Sequence, residues 1–216
     1  MINMKKTLSM LILCVSIFTL FSMTANAAEI TYTPSDYYAV VSEINEKYDV
    51  RISIEQFADN VTKTPAELYA ELEKLVLRSK ANEAKKAAIL AFDDDMALST
   101  AKNLTRQTYH EELTKTSSVD SVFDITVMAE YYWNTTHSRY YFCGGSDVEV
   151  STKTAFIGNF FFFEEDSGCK IWDGGRTLYA WATGDILYLS DGFGWYNYYD
   201  VTESVEFGYN QLSENN

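Results

Sequence analysis

The sequence predicts an α+β protein: a helical N-terminal region followed by an antiparallel β-sandwich or barrel-like domain. Three observations carry this. All ten glycines lie at or after Gly144, while both prolines, Pro34 and Pro65, come early. The first half holds two helix-start signals, "TPSD" and "TPAE". The second half alternates apolar and polar residues and contains all four tryptophans, from Trp133 to Trp195. Residues 1–27 read as a cleaved signal peptide, 28–118 as mainly helical, and 119–216 as the β domain, with the seam near residues 115–121.

The leader has Lys5 and Lys6, an apolar run from Leu8 to Met23, and a small-x-small site at Ala25-Asn26-Ala27. That is the build of a secretory signal. The run falls short of the ~20 residues a spanning helix needs. The expected address is therefore extracellular, with no membrane insertion after cleavage. Removal of Lys5 and Lys6 leaves 15 basic against 31 acidic residues. Such a chain is repelled by nucleic acid and by anionic membrane surfaces, so no nucleic-acid partner is expected.

In each start signal Thr is the N-cap, Pro occupies the first helical position, and an acidic residue stands at the third. Tyr37, Val40, Val41, Ile44 and Tyr48 then share one helical face, as do Leu68, Leu72, Leu75, Val76 and Ser79. "VRISIEQFA" between them is a short strand or an extended link. The second helix continues through "EAKKAAILAF", where no Gly or Pro interrupts it. A third helix is expected around 97–114.

From Phe123 to Trp133 every second residue is apolar, the period of a strand with one buried face. Val201, Val205, Phe207 and Tyr209 repeat that period. "AFIGNFFFFEED" is apolar on both faces, which predicts a central strand covered on both sides. Glu164, Glu165 and Asp166 then act as gatekeepers against aggregation. Seven to nine short strands are expected. Asp173-Gly174-Gly175-Arg176 reads as a turn between two strands, with an Asp173–Arg176 ion pair across it. A phosphate loop needs a following helix, and a calcium loop needs more oxygen ligands at fixed spacing.

Cys143 and Cys169 survive leader removal, and an even pair in an exported chain reads as a disulfide. These two cysteines, with "DGGRTLYAWATGDI" and the leader, resemble those of small secreted β-rich proteins of Gram-positive bacteria, a group of no assigned function. The likeness covers residues 122–209. It implies a fold and an address and carries over no catalytic residue.

Chemistry is sparse. His110 and His137 are the only histidines. "YHEEL" begins like a zinc-protease helix, but Thr114 stands where the second His would be. "FDDDM" at 92–96 points three acids in different directions. No metal, cofactor or catalytic residue is nominated, although Glu130 or Glu149 could serve a carboxylate pair. The richest lead is "DGFGWYNYYD", whose Trp195, Tyr196, Tyr198 and Tyr199 would form an aromatic binding surface. Alternation places Tyr196 and Tyr198 on one side, and Trp195, Asn197 and Tyr199 on the other. The expectation is a non-enzymatic protein binding a glycan or a surface protein. The alternatives are a secreted hydrolase with a carboxylate pair and a structural accessory acting through its helices.

Overall fold

A computed structural model describes residues 32–92, 107–117, 122–153 and 159–212. The leader, the acids of 93–95 and most of the 115–121 seam lie outside them. The chain divides into Met1–Pro34 and one compact unit, Ser35–Asn216. Helix α1 spans Pro34–Tyr48 and α2 spans Pro65–Ala91, with strand β1 (Ile52–Phe57) between them. Six strands follow: β2 (Thr108–Thr116), β3 (Phe123–Asn134), β4 (Arg139–Thr152), β5 (Phe160–Trp172), β6 (Thr177–Ser190) and β7 (Gly194–Gly208). They form two antiparallel sheets, ordered β1-β7-β6-β5 and β2-β3-β4.

The cap expected for α2 is formed in full. The Glu67 amide donates to Thr64 Oγ1 at 3.2 Å, and the Thr64 amide donates to Glu67 Oε2 at 2.8 Å. That backbone donor holds the Glu67 carboxyl below its ordinary pKa. Both helices bury the face read from the sequence: Tyr37, Val40, Val41 and Ile44 in α1, and Leu68, Leu72, Val76 and Ser79 in α2. Leu68, Leu72 and Val76 are fully enclosed, and each contributes about 2 kcal/mol by leaving water.

The inner face of the four-stranded sheet carries two core clusters along its length. At one end Ile171, Leu178, Ala180, Val205 and Phe207 pack with Ile125, Val127, Ala129 and Phe142 of the other sheet. At the other end Ile186, Tyr196 and Tyr198 pack with α1 and the first half of α2. Helix α2 then passes beside β7, and its last turns meet the outer face, where Ile89 packs on Tyr179 and Trp181.

The helices also close the sheet's open edge. The Ile52 amide donates to Asn45 Oδ1 at 2.8 Å, and Asn45 Nδ2 donates to the Ile52 carbonyl at 2.9 Å. Farther along, the Thr202 amide donates to Ser79 Oγ at 3.4 Å, and Asn82 Nδ2 donates to the Thr202 carbonyl at 3.1 Å. Side chains of α1 and α2 thus take the place of a next strand, which protects the edge from pairing with another chain.

Three expectations change. Thr108–Thr116 is strand β2, not helix, because it pairs along its whole length with β3. Its Tyr109 and Leu113 pack inward with Tyr131 and Ile125, and Thr108, Thr114 and Thr116 are β-branched residues suited to a strand. The "FFFF" strand β5 lies at the end of its sheet rather than at the centre. The strands β3 to β7 are long, 12 to 15 residues each. The Asp173–Gly175 segment is a turn as expected: all three residues take a positive φ (57°, 63° and 86°), and the Arg176 amide donates to the Asp173 carbonyl at 3.3 Å. The Asp173–Arg176 ion pair is present.

Candidate functional site

Residues directly opposite on paired strands point to the same side of a sheet. On the outer face Phe161 lies opposite Leu187, Leu187 opposite Asn197, and Leu189 opposite Trp195. Phe163 lies opposite Asp185. The Phe161 and Trp195 rings approach to 6.1 Å between centroids. Among the described residues, helix α2 meets the outer face around Tyr179, Trp181, Thr183 and Thr202, and the half that carries Phe161 and Phe163 is left exposed. Phe161 keeps 43% of its surface exposed and Phe163 54%, while Leu187, Leu189 and Trp195 are half-buried. A continuous apolar strip results.

Bulges set the rim of the strip. Glu165 is passed over between the pairs Glu164–Gly184 and Asp166–Thr183. The register of β6 with β7 shifts between Gly184 and Ile186, leaving Asp185 against Tyr199 and Asp200. Gly184 is required here: a Cβ would collide with the Phe163 carbonyl. Asp200 adopts a φ of 58°, and its amide donates to Asp185 Oδ1 at 3.1 Å. Together these shifts bring carboxylate oxygens of Glu165, Asp185 and Asp200 within 4.8 Å of one another.

Arg51 partly answers that charge. Its guanidinium lies 3.6 Å from Asp200 Oδ2 and stacks 4.0 Å above the Tyr199 ring. Beyond it a cleft of about 660 Å³ is lined by Ser79, Lys80, Glu83 and Tyr198. Burial raises the Tyr198 phenol pKa, against the hydrogen bond from Ser79.

Of the four aromatic residues nominated from sequence, Trp195 and Tyr199 are on the open face. Tyr196 and Tyr198 are not: they are 1% and 2% exposed, enclosed by α1, α2 and Tyr188. The aromatic surface is corrected accordingly, with Phe161 and Phe163 in their place. Asn197 sits among these residues, and its Oδ1 is shielded without a hydrogen-bond partner.

Cys143 and Cys169 stand as two separate thiols, so the expected disulfide is absent from this structure. Cys143 is skipped in the β3–β4 register, between Gly144 opposite Glu130 and Phe142 opposite Tyr131. Cys169 packs under Gly145, 2.7 Å from where a Cβ would stand. Burial, with a smaller contribution from Glu130, pushes the Cys143 pKa up to about 11 and raises that of Cys169. A thiol so held is a poor nucleophile at neutral pH. His110 lies 3.8 Å from Glu130 on the exposed face of the three-stranded sheet, and His137 is in the β3–β4 turn. Glu149 lies on β4, opposite Thr126. No helix among the described residues is long and apolar enough to cross a membrane.

No family model, no curated protein and no solved structure matches this chain.

Proposed function

We propose that the protein is a secreted, non-enzymatic binding protein whose two sheets form an open sandwich. The open half of its outer face docks a protein partner. One observation carries this reading: the apolar strip of Phe161, Phe163, Leu187, Leu189 and Trp195 ends in a charged rim. An apolar centre with a polar border is the pattern of protein-docking surfaces. Leu187 and Leu189 offer neither a flat ring for a sugar to stack on nor a hydrogen-bonding atom, so the strip suits apolar side chains better than a glycan.

A carboxylate hydrolase is the competing reading, supported by the proximity of Glu165, Asp185 and Asp200. Two of these three are exposed, and water weakens the mutual influence such chemistry uses. The test is selection of binders from a random peptide library, run beside a glycan array, with wild type and Phe163→Ser. The reading expects peptides that bind wild type and lose about tenfold or more in affinity on Phe163→Ser. Glycan binding without any peptide dependent on Phe163 would reject it.

A further inference from the structure

We infer that the partner is basic, presenting Lys or Arg beside an apolar anchor so that its cations meet Glu165, Asp185 and Asp200. This rests on the docking reading above and names the chemistry of the occupant. Charge complementarity is the argument. Three carboxylates lie within 4.8 Å of one another at the end of the apolar strip. Arg51, at 3.6 Å from Asp200, brings one positive charge to them. Asp166, opposite Thr183, extends the acidic border along β5, and Lys86, 3.4 Å from Asp166, approaches from the α2 side. The sum over the three carboxylates and Arg51 is negative, and the chain carries a net charge of −14.

A partner that covers the strip drives water from this rim, and the carboxylates then repel more strongly unless cations come with it. A second copy of the chain would set the same acidic rim against its own, which disfavours self-association. A neutral ligand would leave the carboxylates uncompensated. A partner with cations flanking an apolar residue satisfies both halves of the surface, and its approach is steered by the field of the acidic chain.

The experiment selects peptides from a random library on the protein at low salt with EDTA present. Selected peptides are then measured against wild type, Phe163→Ser, and a triple variant Glu165→Gln, Asp185→Asn, Asp200→Asn. Asn at 185 keeps an acceptor for the Asp200 amide, and Asn at 200 tolerates the left-handed backbone. The inference expects Phe163-dependent peptides enriched in Lys and Arg. They should bind the triple variant about tenfold more weakly, the combined effect of several partly exposed charges. They should also weaken on wild type as salt rises.

Phe163-dependent peptides with no basic enrichment and equal affinity for the triple variant would overturn the inference and leave the docking reading standing. Face-dependent binding that appears only when calcium replaces EDTA would overturn it too, in favour of a cation held by the carboxylates. If no selected peptide depends on Phe163, the docking reading itself fails.

Discussion

The side-chain amide of Asn82, in α2, donates to the backbone carbonyl of Thr202, in β7, at 3.1 Å across 120 residues of sequence. Both residues are buried. The bond ties the long helix to the edge of the four-stranded sheet, and the neighbouring Ser79 accepts from the Thr202 amide. One β7 residue thus has both backbone groups satisfied by a helix rather than by a strand.

Replacing Asn82 with Leu keeps the volume and leaves the Thr202 carbonyl buried without that donor. The expected cost is about 2 kcal/mol, read as a lower urea midpoint with an unchanged slope. Light scattering should rise as the β7 edge opens. An unchanged midpoint would mean that the helix–edge contact contributes little.

The α2 cap makes a prediction with a pH sign. Thr64→Ala should cost about 1 kcal/mol. Glu67 is held below its ordinary pKa chiefly by the Thr64 backbone donor, and Glu73 by the Tyr48 hydroxyl. A depressed carboxyl gives stability that is present above the unfolded pKa and is lost as pH falls through the folded one. Stability should therefore decline below about pH 4. In Glu67→Gln that part of the decline should shrink. Thermal melts between neutral and acidic pH read both effects, and an identical acid profile for Glu67→Gln would contradict the cap's electrostatic role.

The reduced thiols report on the β3–β4 bulge. Alkylation of Cys143 follows its thiolate fraction, so the rate in brief pulses should keep rising to about pH 11. Burial is the main cause, so unfolding should bring the midpoint back toward the ordinary thiol range. Glu130→Gln should lower it only slightly, by removing the smaller negative contribution. A native midpoint in the ordinary range would show Cys143 to be solvated.

Much of this fold was legible. The Thr64 cap and the apolar faces of both helices could be read because start signal and period agree. In β3 the alternation matches the burial residue for residue from Phe123 to Tyr131 and fails at Trp133, which is exposed. The candidate site was less so, for physical reasons. In "FFFF" both faces of the strand carry the same residue, so alternation gives no contrast, and the open side at Phe161 and Phe163 is set by tertiary cover alone. The pairing of Trp195 with Tyr199 on one side was readable. That Tyr196 and Tyr198 would meet the helices was not, since the sequence does not say which face the helices choose. Glu165, Asp185 and Asp200 meet through bulges in neighbouring strands, and no local pattern announces a register shift. The strand at Thr108–Thr116 is not legible because Glu111 and Lys115 share the inward side with Tyr109 and Leu113 and break the alternation.

The most direct test of the account is hydroxyl-radical footprinting of the protein alone, read by mass spectrometry at single residues. The open face predicts strong labelling of Phe161 and Phe163, intermediate labelling of Trp195, and near-complete protection of Tyr196 and Tyr198. Protection of Phe161 and Phe163 to the level of Tyr196 would contradict it, because the outer face would then be covered and could dock no partner.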